Sequence, residues 1–260
     1  SPDTVTVGLP TGYGKTLLAL RLALDMIREE SRKKIIYVAP YLSLLEQASG
    51  DVQHWYGFAP LEHHSLAIHQ GSGVPEVEEP GHENGFASRV MESWAHPVVC
   101  TSFQQFCRAL FPDRAQHTLR RAWLDDSIVI IDEPQIFRPE GWNLFLTGLE
   151  ALQRIHRLKV MFLSATMPPT RYGLSIQPVE LCPDQPNILN RYRLECSTEP
   201  CDQADVAKLL MERREPTRCA ILNTVRDAQL VYEHLKEAGV RGSGDLLLLH
   251  GGMIPLHKKV

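Results

Sequence analysis

The sequence predicts an α/β protein, a parallel sheet flanked by helices, followed by the start of a second unit of the same kind. Three observations carry that prediction. A glycine turn, Leu9-Pro10-Thr11-Gly12-Tyr13-Gly14-Lys15-Thr16, joins an apolar run at Val5 to Gly8 to a helix-like run at Leu17 to Ile27. Short apolar runs recur at 34–38, 98–100, 127–131 and 159–163, each passing through a polar turn into a helix-like stretch. After a proline-rich interval, the helix–strand–helix order restarts at Ala204.

The first turn has the layout of a phosphate-binding loop. Glycines let the backbone curl until successive N–H groups point inward at a polyphosphate. The helix that follows adds free N–H groups and a partial positive charge. In that layout Thr11, Gly12, Tyr13 and Gly14 wrap the ligand. Lys15 reaches its β/γ-phosphates and Thr16 offers a hydroxyl to Mg²⁺. One departure stands out: the strict formula wants glycine where Leu9 stands, and Gly8 is one place early. An ordinary strand–helix turn is the bland alternative, and Gly-x-Gly-Lys-Thr in this context is far narrower than that.

Composition limits what the chain can be. Its 260 residues suffice for one large or two modest domains, and 43% hydrophobic with 22% charged residues is ordinary for a globular protein. A net charge of −4 gives no global signature of nucleic-acid binding, so such contact would need a local groove, backbone N–H groups or hydroxyls. The six cysteines form no Cys-x-x-Cys pair, which argues against zinc and for reduced, packed thiols in a cytosolic (cytoplasmic) protein. No apolar run has the length to cross a bilayer, so no membrane partner is expected. Ser1 lies so close to the phosphate loop that the chain reads as a fragment.

The second apolar run, Lys34 to Val38, ends at Ala39-Pro40-Tyr41-Leu42-Ser43, where Ser43 and a helix start suit either a nucleic-acid phosphate or plain capping. His63 and His64 invite a metal, but on a strand they point to opposite faces, and no His-Asp dipeptide occurs in the chain. Residues 71–85, rich in Gly, Pro and Glu, read as a surface loop. Thr101 and Ser102 close the next strand, positioned to cap a helix or to grip a sugar–phosphate backbone. Residues 113–124 read as a helix whose basic face (Arg114, Arg120, Arg121) is solvated.

The second strong signal is Ser127-Ile128-Val129-Ile130-Ile131-Asp132-Glu133-Pro134-Gln135. An apolar strand delivers two carboxylates to its C-terminal tip, where ligands of open α/β sheets collect. Asp132 is placed to hold Mg²⁺ through water, and Glu133 to orient and deprotonate an attacking water. The strand at Lys159 to Leu163 ends in the hydroxyls of Ser164 and Thr166. Residues 168–200 read as a domain crossing, giving a first lobe over 1–185 and a partial second lobe over 186–260. The second holds helices at 204–213 and 225–238, strands at 219–222 and 246–249, and polar turns at Asn223-Thr224 and His250-Gly251-Gly252.

Taken together, LPTGYGKT, APYLSLLEQ, CTSFQQF, IIDEPQ, LSATMP, ILNTVRDAQ and LLHGGM resemble a superfamily 2 helicase with two RecA-like lobes, each a P-loop NTPase fold. YVAPYLSLLEQ, LEHHS and NTVRDAQ look most like the helicase part of the CRISPR-associated helicase–nuclease of type I systems, which acts in antiviral defence. The resemblance implies ATP hydrolysis coupled to movement on single-stranded DNA, with a CRISPR RNA-guided surveillance complex as partner. It implies ATP and Mg²⁺ at Lys15 and Thr16, and Asp132 and Glu133 as metal holder and base. Gln135 stands where a γ-phosphate-sensing histidine is usual, and can still donate a hydrogen bond. Ser164 and Thr166 would couple nucleotide to DNA, and Pro40, Ser43, Thr101, Ser102, Asn223 and Thr224 would track the DNA backbone. No Gln-x-x-Arg-x-x-Arg type motif follows LLHGGM, so the fragment is expected to bind nucleotide and hydrolyse it poorly. Rival readings are another superfamily 2 translocase or RNA helicase, and a nucleotide-dependent scaffold that does not translocate.

Overall fold

The computed structural model describes residues 2–64, 93–182, 195–213, 217–240 and 246–253; the loop expected over 71–85 lies outside them. The chain divides into two compact units, Ser1–Leu189 and Asn190–Val260.

The first unit is built on β1 (Thr4–Gly8), β2 (Lys34–Ala39), β3 (Leu61–His63), β4 (Val98–Ser102), β5 (Ser127–Asp132), β6 (Lys159–Ser164) and β7 (Val179–Glu180). Among the described residues they form one seven-stranded sheet in the order β3-β4-β2-β5-β6-β1-β7, with every pairing parallel. The helices are α1 (Lys15–Glu30), α2 (Leu42–Tyr56), α3 (Phe103–Leu110), α4 (Ala115–Ala122) and α5 (Pro139–His156).

The unbroken apolar strands follow from this layering. Successive side chains on a strand point to opposite faces, so a sheet covered on both sides needs both sets apolar. Ile35, Tyr37, Ile128, Ile130, Met161 and Leu163 pack with Ala19 and Leu20 of α1 and Leu45 and Ala48 of α2. Their neighbours Ile36, Val38, Val129, Ile131, Val160 and Phe162 pack with Phe106 of α3 and Trp142, Phe145 and Leu149 of α5. Because all strands run the same way, their carboxyl ends share one edge of the sheet.

Several expectations need correction. The proline-rich stretch is not a crossing from residue 168 onward. Val179 pairs with Val5 at the sheet edge, the Trp142 indole donates to the Pro169 carbonyl at 2.8 Å, and Leu174 is buried. A two-residue strand carries no periodicity, so the sequence had no way to announce it. In α4 the basic face is not uniformly solvated. Arg114 is exposed, but Arg120 is buried, donating to the Gln105 side chain at 3.0 Å and lying over the Trp94 ring. The cysteines are all free, but only Cys100 is fully buried, while Cys196, Cys201 and Cys219 are exposed.

The second unit contains α6 (Gln203–Glu212) and α7 (Val225–Glu237). Asp202 and Asp205 form a capping box on α6, and Thr224 caps α7 by accepting from the Asp227 N–H. The helices pack through Ala207, Val231 and Leu235, with Leu222 and Leu246 against them. The strands expected at 219–222 and 246–249 are absent among the described residues. A strand exists only with a ladder partner, and none is formed there; Ile221 is 94% exposed.

Candidate functional site

The glycine turn connects β1 to α1. Gly12 and Gly14 adopt φ of +84° and +74°, in the left-handed region that glycine enters without strain. A Cβ at either would meet nothing within 4 Å, so it is the backbone conformation rather than crowding that calls for glycine, and both positions open onto free space. Tyr13 N–H closes the turn on the Pro10 carbonyl at 3.3 Å, and Thr11 is exposed. Gly14 is the N-cap of α1, with no side chain capping it, so Lys15 and Thr16 begin a helix whose first N–H groups are free for a ligand.

Lys15 is buried, and its ammonium has two partners. It donates to the Leu9 carbonyl at 3.0 Å and lies 3.8 Å from Glu133 Oε1. The loop after β1 and the acidic tip of β5 therefore meet, although β6 lies between their strands. The register explains how: Gly8 is level with Ser164 on β6, and Leu163 is level with Asp132 on β5. Leu9, the residue that departs from the strict loop formula, supplies the backbone oxygen that holds the lysine.

Asp132 is buried, and its Oδ2 accepts from the Tyr37 hydroxyl at 2.5 Å. Burial raises its carboxyl above the usual range; the Tyr37 donor opposes that, the Glu133 charge adds to it, and Lys15 opposes it. Tyr37 is held well above the usual phenol range by burial and by Asp132, so it is a proton donor here. Thus Asp132, one of the two groups expected at Mg²⁺, is held by Tyr37, a residue the sequence passes off as one more member of an apolar strand.

Glu133 has φ of +53°, uncommon for a residue with a side chain, and Pro134 turns the chain into a 3-10 turn over Pro134–Ile136. Its N–H still bonds the Leu163 carbonyl at 2.9 Å, anchoring the bend to the sheet. The Gln135 amide donates to Glu133 Oε2, and Gln135 Oε1 accepts from the Ser164 hydroxyl at 2.8 Å. Ser164 Oγ in turn accepts from the Thr166 N–H at 2.9 Å. A continuous chain of hydrogen bonds therefore runs from Thr166 through Ser164 and Gln135 to Glu133. Beneath it Phe137 packs on Phe103, Trp142 and Phe145, fixing the ends of β4 and β5 to α5. That aromatic layer was also missed, since Phe and Trp at helical spacing read simply as core.

The other expected residues divide. Pro40 and the exposed Ser43 follow β2, where Tyr41, not Ser43, is the N-cap of α2. Ser102 caps α3 by accepting from the Gln105 N–H at 3.4 Å. Thr101 is fully buried and its hydroxyl donates to the His63 carbonyl at 2.9 Å, so it braces β4 against β3 and is out of reach of a nucleic-acid backbone. Asn223 and Thr224 lie in the second unit, both exposed. His63 and His64 are both buried: His63 packs on Trp94 beside the Arg120 guanidinium, and His64 lies against Glu62.

The residues fit a magnesium nucleotide on their own chemistry: an open glycine loop, a lysine poised at its base, a hydroxyl in the first turn of the helix and a buried carboxylate at a strand tip. Set on an all-parallel sheet with its acidic strand tip, this arrangement defines a phosphate-loop nucleotide-binding domain of RecA-like type. Residues 1–172 match the family model for DEAD/DEAH box helicases, and the chain belongs to that family. Membership makes it part of an ATP-hydrolysing, nucleic-acid-binding class of enzyme. The chain is similar to the CRISPR-associated nuclease/helicase Cas3 of Haloferax volcanii, 29% identical over 183 residues, covering 65% of this chain and 20% of that protein. Among solved structures it resembles the DUF1998 helicase MrfA in fold, with a TM-score of 0.56, 17% identity, and coverage of 91% of this chain and 36% of that one. A Sulfolobus solfataricus SWI2/SNF2 ATPase core, solved with double-stranded DNA, aligns over 64% of this chain and 28% of its own at 15% identity, with a TM-score of 0.40. The chain thus spans a fifth of the curated relative and about a third of the structural one. Among the described residues no helix is long and apolar enough to cross a membrane.

Proposed function

We propose that this chain is the nucleotide-hydrolysing part of an ATP-dependent single-stranded DNA translocase of a CRISPR interference system, made of a first RecA-like lobe and the beginning of a second. The observation that carries the reading of the site is the meeting of Lys15 and Glu133 at 3.8 Å. Thr11, Gly12, Tyr13 and Gly14 wrap the triphosphate with backbone N–H groups, and Lys15 leaves Leu9 and Glu133 for the β/γ-phosphates. Thr16 and Asp132 hold Mg²⁺, which, when bound, offsets the charge of the phosphate oxygens. Glu133, released from Lys15, orients and deprotonates the attacking water. Gln135 holds Glu133, and through Ser164 ties its position to Thr166.

The carboxyl edge of the sheet supports the division of labour. The ends of β1, β6 and β5 bear the nucleotide groups, and the ends of β2 and β4, next in the sheet, bear Pro40, Ser43 and Ser102. Those residues, with Asn223 and Thr224, contact the sugar–phosphate backbone. The CRISPR assignment is supported by the Cas3 likeness, which covers 65% of this chain. An RNA-guided surveillance complex is the partner that likeness suggests.

Calorimetry on Lys15→Ala tests the nucleotide site: Mg-ATP binding is expected to vanish, and an unchanged affinity would refute the assignment. Stimulation of ATPase by single-stranded DNA above duplex DNA and RNA is expected, and a preference for RNA would move the chain to another branch of the family. These 260 residues contain no arginine motif after Gly252, and such arginines are worth roughly 10³–10⁵ in rate. These 260 residues should therefore turn over well below about 1 s⁻¹. Faster DNA-stimulated turnover would overturn that point.

A further inference from the structure

β2, whose six residues are all buried, carries two polar groups, Lys34 at its start and the Tyr37 hydroxyl in its middle. Tyr37 pairs in register with Ile130 of β5, so Asp132, two residues on, lies on the same face of the sheet. That face is the one covered by α1, whose Ala19 and Leu20 share an apolar cluster with the Tyr37 ring. Thr16 lies in the first turn of that same helix. The phenol has one proton to donate, and Asp132 Oδ2 takes it at 2.5 Å. A carboxylate on a single bond rotates freely unless something holds it. Here one oxygen is held by a fully buried ring.

We propose that Tyr37 is a positioning residue of the magnesium site: its hydroxyl fixes Asp132 so that one carboxylate oxygen is presented to the cation alongside Thr16. The proposal rests on the reading of Lys15, Thr16 and Asp132 as the magnesium-nucleotide site. Partners behind a metal-binding group govern metal affinity because they set the orientation of that group before the metal arrives. Tyr37 contributes no ligand itself. Its effect therefore falls on the metal dependence of nucleotide binding, not on nucleotide binding as such.

The test is Tyr37→Phe in the 260-residue chain, read with a fluorescent ATP analogue titrated once in EDTA and once against increasing Mg²⁺. Phenylalanine keeps the ring in its buried place and removes only the donor. The Mg²⁺ concentration for half-maximal enhancement of binding is expected to rise about 10- to 100-fold. The affinity in EDTA should stay at the wild-type value. Equal weakening with and without Mg²⁺ would mean that the hydroxyl serves only the packing of β2, and would overturn the proposal. So would an unchanged Mg²⁺ dependence in Y37F while Asp132→Ala abolishes it, an outcome that leaves the site itself intact. If D132A also binds with wild-type Mg²⁺ dependence, the metal reading of the site fails, and the role of Tyr37 fails with it. Thermal melts of each variant in EDTA accompany the titrations, so that loss of fold is read separately.

Discussion

The two units meet the same kind of sequence with different outcomes. In the first, apolar runs of five or six residues become strands buried on both faces, because neighbouring strands supply ladder partners and helices cover each side. In the second, the runs at 219–222 and 246–249 form no strand among the described residues, and only Leu222 and Leu246 join the α6–α7 cluster. Helices close their own hydrogen bonds, and α6 and α7 form where capping residues and periodicity place them. Strands borrow their bonds from elsewhere. An apolar run is therefore a promise that only the rest of the sheet can keep.

This contrast can be broken by substitution. The largest effect belongs to the first unit. Phe145 is 2% exposed and packs on Phe103, Phe106, Phe137 and Trp142. Phe145→Ala should cost about 3–5 kcal/mol in urea unfolding. A loss under about 1 kcal/mol would show that the aromatic layer beneath the acidic turn is loosely packed.

Next comes a pH effect in the same unit. Burial, then the charges of Arg120, His64, His117 and Arg108, pull His63 from 6.5 to about 3. Between those values the unfolded chain takes up a proton that the folded chain refuses. Stability is therefore whole above pH 6.5 and falls as the pH drops, with a slope approaching about 1.4 kcal/mol per unit. Melts at pH 7, 6 and 5 should show a steeper loss in the wild type than in His63→Gln, which keeps an acceptor for Arg120. Parallel curves would mean that His63 takes up its proton alike in the folded and the unfolded chain.

The smallest effect belongs to the second unit. Ile221 is 94% exposed, so Ile221→Ala should stay within about 0.5 kcal/mol. A cost of about 2 kcal/mol or more would show that this run is buried in the working protein, and the contrast between the units would dissolve.

The most legible parts of the site were those whose chemistry is local. Gly12, Gly14, Lys15 and Thr16 announce a curled backbone at a helix start, and Ile131-Asp132-Glu133-Pro134 announces a strand that ends in charge. Ser102 was readable as a cap for the same reason. Thr101, one residue earlier, was not: alternation on β4 turns it inward toward β3, a three-residue strand with too little pattern to be seen. Arg120 was misread as solvated because an eight-residue helix gives no hint that one arginine faces Trp94 and Gln105. Tyr37 was invisible as a polar group because its hydroxyl matters only once Asp132 is beside it.

By itself the sequence determined the parallel α/β class, the phosphate loop, the acidic strand tip and the hydroxyl-bearing end of β6, since each is set by backbone conformation and periodicity within a few residues. Tertiary structure alone decided that β6 would stand between β1 and β5 and still bring Lys15 to Glu133, that Gln135 would link Glu133 to Ser164, and that a buried tyrosine would hold Asp132. Strand order and register join residues far apart in the chain, Gln135 and Ser164 by 29 positions and Tyr37 and Asp132 by 95, and no local preference of the chain encodes such distances.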